Sequence, residues 1–395
     1  MIRLTRPSLD EADYAAVRGV LESGHLVQGP RVAEFEASVA RLVGVAHAVA
    51  VTNCTAALQM ALLALGVRAG DLVAVAAYSW PSTANAVELC GAQPVFVDVD
   101  PATFNVTPEA LDAALARVTR APDAAARLKA VLVVHTFGQM ADMPGLLAVA
   151  GRYGLPVVED AACALGASLG GRQAGAWGAM GCFSFHPRKA VTTGEGGVIT
   201  TDDPALARHL RALRNHGQDP ESTEADPFIL PGFNNRMTEF QGALGVTQLA
   251  KLPRIVAARR RLAARYDALL DPAFERGGAR GDDERHVFQS YVVLLPPEAA
   301  PRRAALIADL RARGVEAQIG TWHQPLSRYY QARYGYRPGD FPACDDVAAR
   351  ALTLPLYGEM TVADQDHVAR HLGEVLDTGL AGAAATGSFP GGGAA

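Results

Sequence analysis

Residues 184–197, SFHPRKAVTTGEGG, gather three basic side chains, His186, Arg188 and Lys189. Each could serve as a base, and Lys189 also as a nucleophile; the plain alternative is a solvated basic turn before a glycine hairpin. The glycines Gly194, Gly196 and Gly197 lack the Walker spacing and the following Lys-Ser/Thr, so they are a weak phosphate loop. Upstream, VVEDAACALGA (157–167) ends an apolar run in Glu159 and Asp160, with Cys163 just beyond. A carboxylate there is costly without a partner. For Asp160 that partner is a cationic ring nitrogen, or else it caps a helix or joins a loop ion pair. TNCTAALQMAL (52–62) sets Asn53, Cys54 and Thr55 at the start of a strong helical pattern. Free N–H groups and the positive helix end suit a phosphate there, and simple N-capping is the alternative. AYSWPSTANAV (77–87) places Trp80 between a strand and a proline, where the ring stacks on a flat ligand or packs under a loop.

Elements of alternating type must position these residues. LVAVAA (72–77), QPVFVDV (93–99), AVLVVHTFG (130–138) and LPVVED (155–160) are apolar runs that suit strands covered on both faces. Helical patterns at 54–66, 108–118 and 143–153 separate or flank them, which implies right-handed βαβ units on a mainly parallel sheet. GCFSF (181–185) and GVITT (197–201) add strands. Sites in such sheets form at the carboxyl ends of strands, where or just beyond which all four features fall. Residues 238–270 read as a long helix broken near Pro253. HVFQSYVVLL (286–295), a helix over 301–314 and VEAQIG (315–320) suggest a smaller α+β unit. The division expected is a large domain over 1–250 including the N-terminal segment, a small domain over 251–380, and a disordered Ala/Gly tail over 381–395. A phosphate cradle, a stacking ring, a carboxylate and a lysine are together what pyridoxal 5′-phosphate requires. They anchor its phosphate, cover its ring, hold its ring nitrogen protonated and bind its carbonyl carbon covalently.

Composition narrows the alternatives. The chain has 395 residues, 49% of them hydrophobic, and a formal charge of −5. Without a long basic run, nucleic acid is not the expected partner. The five cysteines, at 54, 90, 163, 182 and 344, include no C-x-x-C pair. Neither a disulfide framework nor a metal site is expected. The first residues carry no apolar signal core, and no run approaches the roughly 20 apolar residues of a membrane span. The expectation is a cytoplasmic protein with no membrane partner.

Several ordered blocks carry a further likeness: LESGHLVQGPRVAEFE (21–36), NCTAAL (53–58), EDAACALGA (159–167), FSFHPRKAVTTGEGG (183–197), LRNHG (213–217), GFNNRMTEFQGALGVTQL (232–249) and LTLPLYGEMT (352–361). With these, residues 4 to 375 or so resemble the DegT/DnrJ/EryC1/StrS family of sugar aminotransferases. The resemblance implies an α/β, fold-type I, aspartate aminotransferase-like architecture: a mainly parallel central sheet plus a smaller α+β C-terminal domain. It implies Lys189 as the catalytic lysine that holds the cofactor, Asp160 on the pyridinium nitrogen and Trp80 on the ring. Asn53, Cys54, Thr55 and Ser184 would hold the phosphate, and Cys163 would border the ring substituents. Asn234 would reach the phosphate of a neighbouring subunit, so that a homodimer shares its two sites.

Three positions depart from the family pattern. Cys163 stands where Gln is common, NCT replaces the usual small pair before Thr, and Asn235 takes an aromatic position. The activity implied is transfer of an amino group from glutamate or glutamine to a keto-sugar, most suitably a nucleotide-linked 3- or 4-keto-6-deoxyhexose. Lys189 would shuttle the proton, and an apolar site with Arg188 nearby would lower its pKa. His186, Arg214, His216, Asn235 and His323 are the candidate substrate contacts. The alternatives are a keto-cyclitol aminotransferase, an aminobenzoate-forming enzyme, a sugar dehydratase, and a regulatory binding protein on the same fold. In the family's dehydratases a histidine replaces the lysine; here His186 falls before the motif position and Lys189 fills it.

Overall fold

Seven apolar segments assemble into one sheet: β1 (His47–Val51), β2 (Leu72–Ala76), β3 (Gln93–Val97), β4 (Leu128–Val134), β5 (Val157–Asp160), β6 (Met180–Ser184) and β7 (Gly197–Thr201). The computed structural model describes residues 1–278 and 284–386. The sheet order is β1-β7-β6-β5-β4-β2-β3. Strands β3, β2, β4, β5 and β6 pair parallel in that succession, and β7 runs antiparallel to both β6 and β1. Every residue of β2 is buried, as an uninterrupted apolar run requires of a strand covered on both faces. Strand β4 stops at Val134, short of the 138 expected. There the chain turns through Phe137 and Gly138, both at positive φ (56° and 90°).

Register fixes what lies together at one edge of the sheet. Asp160 pairs with Cys182, Ser184 with Gly197, and Gly197 with Val51. The ends of β5, β6 and β1 and the start of β7 therefore converge. The helix that follows β1, at Cys54–Ala64, begins at this edge, with Asn53 as its cap.

The long helix Glu239–Leu269 passes through Pro253 unbroken, contrary to expectation. The proline costs about 3 kcal/mol. Leu249, Leu252, Ile255 and Val256 are buried on either side of it, and each apolar side chain so placed contributes about 1.5–3 kcal/mol. Packing therefore outweighs the lost backbone bond. The same helix links two cores. Leu249 to Val256 belong to the core around the large sheet; Ala263 and Tyr266 belong to a second core with Phe274, Tyr291, Leu352 and Leu372.

The second core packs on a four-stranded antiparallel sheet, β8 (Glu275–Arg276), β9 (Tyr291–Leu294), β10 (Gln318–Ile319) and β11 (Ala351–Leu354), in the order β8-β9-β11-β10. Only the first few residues, 2–4, join this unit; from Ser8 on the segment packs against the long helix, with Ser8 and Asp13 bonded to Gln248. Ile2 N–H donates to Gly314 O (2.7 Å), Glu316 N–H to Ile2 O (2.9 Å) and Leu356 N–H to Leu4 O (3.0 Å). The apolar Ile2 and Leu4 would otherwise face water. A last helix, Val362–Thr386, runs into the stretch read as a tail. The tail reading for 387–395 lies outside the described residues.

Candidate active site

A cavity of about 910 Å³ opens over the converging strand ends. Asn53, Cys54, Thr55, Trp80, Asp160, Cys163, Ser184, His186, Lys189 and Asn235 all line it. The second unit contributes Gln318, Gly320, Thr321 and Thr353, and Leu4 and Thr5 close one side.

The helix start offers donors. Asn53 Oδ1 accepts from Ala56 N–H (2.9 Å), a true N-cap. The N–H groups of Cys54 and Thr55 are then the orphan donors that a helix's first turn leaves. Gly197 lies directly beneath; a Cβ there would overlap the Asn53 carbonyl and the Cys54 nitrogen. Ser184, paired with Gly197 across the sheet, brings its hydroxyl to the same wall.

Asp160 is 5% exposed. Burial pushes its carboxyl above the usual range; the Thr83 and Ala162 donors and Lys189 oppose that shift in part. Thr83 Oγ1 donates to Oδ2 (2.8 Å) and Ala162 N–H to Oδ1 (3.2 Å). Thr83 was not singled out in the sequence; its position two residues after Pro81, at a helix start, carries no chemical signal. Glu159, the other carboxylate of the strand end, faces away from the cavity. It accepts from the N–H groups of Gly175 (2.8 Å), Trp177 (2.6 Å) and Gly178 (2.8 Å) and meets His135 Nε2 at 2.9 Å. A buried charge so surrounded is structural.

Lys189 Nζ lies 3.1 Å from Cys163 Sγ. Burial pushes the ammonium pKa down, but Cys163, Cys54 and Asp160 outweigh it, and the net displacement is upward. This reverses the lowering expected. The carboxylate faces the lysine inside the cavity, whereas Arg188 lines its exposed rim. Lys189 must therefore lose a proton before it can add to a carbonyl carbon. His186 is pushed down by burial, so it is neutral near pH 7; its Nε2 stands 3.9 Å from Glu195 Oε1. Trp80 is 60% exposed, with its ring on the cavity wall rather than under the loop.

Four candidates fall outside the cavity. Arg214 is buried against Glu36 and donates to Ala50 O (2.8 Å), tying helix Pro204–Arg214 to β1. It is a structural ion pair, not a substrate contact. His216 is exposed at positive φ (58°) in the loop after that helix. His323 Nε2 lies 2.9 Å from Asp345 Oδ1, and its strand pairs with Tyr78–Ser79, which turns it from the cavity that its neighbours Gly320 and Thr321 line. Asn234 is exposed, its backbone bridged to Asn215. Gln59, Glu195, Gln289, Ser290 and Gln318 line the cavity without having been singled out. Gln59 and Glu195 lie inside the stretches 52–62 and 184–197, and Gln289, Ser290 and Gln318 inside strand runs of the second unit, where nothing local marks them as site residues.

These residues fit pyridoxal phosphate. The N–H pair with Ser184 suits its phosphate, Asp160 its ring nitrogen and Lys189 its carbonyl carbon. Thr136 Oγ1 is a buried polar atom on the same wall without a partner among the described residues, the kind of atom a polar ligand satisfies. Among the described residues no cluster of His, Cys, Asp or Glu could hold a metal ion, and no helix is long and apolar enough to cross a membrane.

Fold and site together define a transaminase of the fold-type I class. The DegT/DnrJ/EryC1/StrS aminotransferase family model matches residues 7–373, and the chain belongs to that family. Its members are pyridoxal-phosphate-dependent. Three solved structures are similar over nearly the whole chain. A DegT DnrJ EryC1 StrS aminotransferase from Brucella abortus is 33% identical, with a TM-score of 0.84 over 92% of this chain and 95% of that one. The aminotransferase TlmJ from Streptoalloteichus hindustanus is 32% identical, with a TM-score of 0.86 over 96% and 99%. PseC of Helicobacter pylori, an aminotransferase involved in the biosynthesis of pseudoaminic acid, is 25% identical, with a TM-score of 0.87 over 95% and 99%.

Proposed function

We propose that this transaminase moves an amino group from glutamate or glutamine to a keto-sugar, most suitably a nucleotide-linked 3- or 4-keto-6-deoxyhexose. The observation that carries the reading is the polar wall around Lys189. Gln59, Glu195, Gln289, Ser290, Gln318 and Thr321 present amide, hydroxyl and carboxylate groups to the cavity. Such a wall matches the hydroxyls of a sugar better than an apolar side chain.

When bound, pyridoxal phosphate supplies a carbonyl carbon to which amines add and a ring that accepts electrons. The protein does the rest. The Cys54 and Thr55 N–H groups and Ser184 hold the phosphate, and Trp80 covers the ring. Asp160 stays ionised opposite a protonated ring nitrogen, an opposite charge that offsets its burial. Lys189 would hold the cofactor through its carbonyl carbon and, as a free amine, would be the base that moves the proton at the donor's α-carbon. Asn234 is exposed and outside its own cavity, which agrees with a role at a second subunit's phosphate in a homodimer. His186 walls the substrate side and is not the proton carrier, because Lys189 occupies that place.

The test is a panel of nucleotide-linked keto-sugars and keto-cyclitols with glutamate as donor, read by product mass. Amination of the keto-sugars supports the reading. Exclusive amination of a keto-cyclitol, or loss of the hydroxyl without amination, replaces it.

A further inference from the structure

An amino-acid donor brings a carboxylate bonded to the carbon whose amine reacts. A cavity that receives it needs a cation near the reactive lysine. Asp160 and Glu195 line the cavity, so an incoming carboxylate is repelled from both. Four basic side chains line it as well: His135, His186, Arg188 and Lys189. His135 is buried against Glu159, and His186 is neutral for the reason given above. Lys189 is committed to the cofactor. Arg188 remains.

Among the described residues no charged group claims its guanidinium. Nη1 makes one long contact, 3.5 Å, to the neutral Gln318 Oε1. Among the described residues no carboxylate lies within 4.0 Å of it. The backbone that carries it is held on three sides. Arg188 N–H donates to His186 Nδ1 (3.1 Å), Lys189 N–H to His186 O (2.8 Å), and Gln289 Nε2 to Arg188 O (2.5 Å). Gln289 is fixed in turn by the buried Arg259, whose Nη1 donates to the carbonyls of Phe288 (3.0 Å) and Gln289 (2.9 Å). A planar, permanently charged fork on a pinned turn, adjacent in sequence to Lys189, suits a carboxylate held bidentately.

We infer that Arg188 binds the α-carboxylate of the amino donor and so sets donor affinity. This rests on the proposed function. A sugar diphosphate is a poorer occupant, because it is separated from the reacting carbon by ring atoms, whereas the donor carboxylate is one bond away.

The test uses the cofactor-loaded enzyme with Arg188→Gln and Arg188→Lys. Titration with 2-methylglutamate, which has no α-hydrogen to lose, gives donor affinity by calorimetry. Titration with thymidine and uridine diphosphates gives affinity for the alternative anion. Loss of a charge-assisted bond at a partly exposed site weakens binding about tenfold or more. R188Q is expected to weaken 2-methylglutamate and 2-aminoisobutyrate alike, with R188K between it and the wild type and the diphosphates unchanged. In the glutamate half-reaction the half-saturating concentration rises while the limiting rate holds within a few-fold. Unchanged donor binding in R188Q overturns the inference. So does weakening confined to the diphosphates, or to the glutamate analogue alone, which assigns Arg188 to the distal carboxylate. A wild-type enzyme that accepts no amino-acid donor overturns the proposed function instead.

Discussion

Thr83→Val isolates the bond that keeps Asp160 ionised. Thr83 is fully buried; its Oγ1 gives Asp160 Oδ2 one of two hydrogen bonds, the other coming from Ala162 N–H. Valine keeps the volume and removes the donor. A hydrogen bond to a charged group is worth about 1.5–3 kcal/mol, and 1.36 kcal/mol is one pKa unit. The Asp160 carboxyl, already held above its ordinary value by burial, should therefore rise further. The sign follows from linkage. A carboxyl raised in the folded state binds its proton at a pH where the unfolded chain has released it. Stability then falls as pH rises from the unfolded pKa to the folded one, and is level above. The substitution extends that window upward. In urea denaturation of the cofactor-free protein, the deficit relative to wild type should be about 1.5–3 kcal/mol near pH 7.5. It should shrink to about 1 kcal/mol once the pH falls below the folded pKa of Asp160, where only neutral bonds are lost, including that to Ser79 Oγ. The acid limb of the activity profile should move up in pH. A deficit independent of pH, or none, would refute the claim that Thr83 supports a charged Asp160.

Further predictions follow from other sites. Lys189→Ala should abolish covalent attachment, so that borohydride reduction leaves no cofactor mass on its peptide, and should cut activity at least 10²–10⁴-fold. Gly197→Ala should weaken pyridoxal phosphate binding in a spectral titration while the protein stays folded, because the new methyl displaces the Asn53–Cys54 backbone. Asp13→Asn should cost about 1.5–3 kcal/mol in denaturant, since Lys251 loses its buried carboxylate partner and keeps only the half-exposed Asp10, 2.7 Å away. Burial alone would raise the Asp13 carboxyl, but Lys251, Thr247 and Gln248 outweigh it and hold it below the usual range. Its contribution to stability is thus full above the unfolded pKa and lost as pH falls through the folded one.

The parts of the site legible in the sequence are those that follow a strand directly. Asp160 ends β5, Asn53 to Thr55 follow β1, and Ser184 ends β6, so each could be placed from its own run of apolar residues. Lys189 stood out only beside these. The substrate side was not legible. Arg214 and His323 look as chemical as Lys189 in the sequence, yet Glu36 and Asp345, remote in the chain, claim them. Gln289 and Gln318 carry no local signal and reach the cavity only because the second unit folds over the strand ends. Pro253 was misread for a related reason: its helix is held by tertiary packing, which propensity does not contain.

Period and composition determined the strands, most of the helices, the mainly parallel sheet and the four cofactor-facing features, because each depends on residues near in sequence. Tertiary structure alone decided which ionisable groups are neutralised by a partner and which are left to meet a ligand. It set Glu159 on three backbone donors and a histidine, and left Asp160 with Thr83 and Ala162 at the cavity wall. It raised Lys189 where its neighbours in sequence suggested lowering. Charge energies depend on distance and burial, and neither is written in the order of residues.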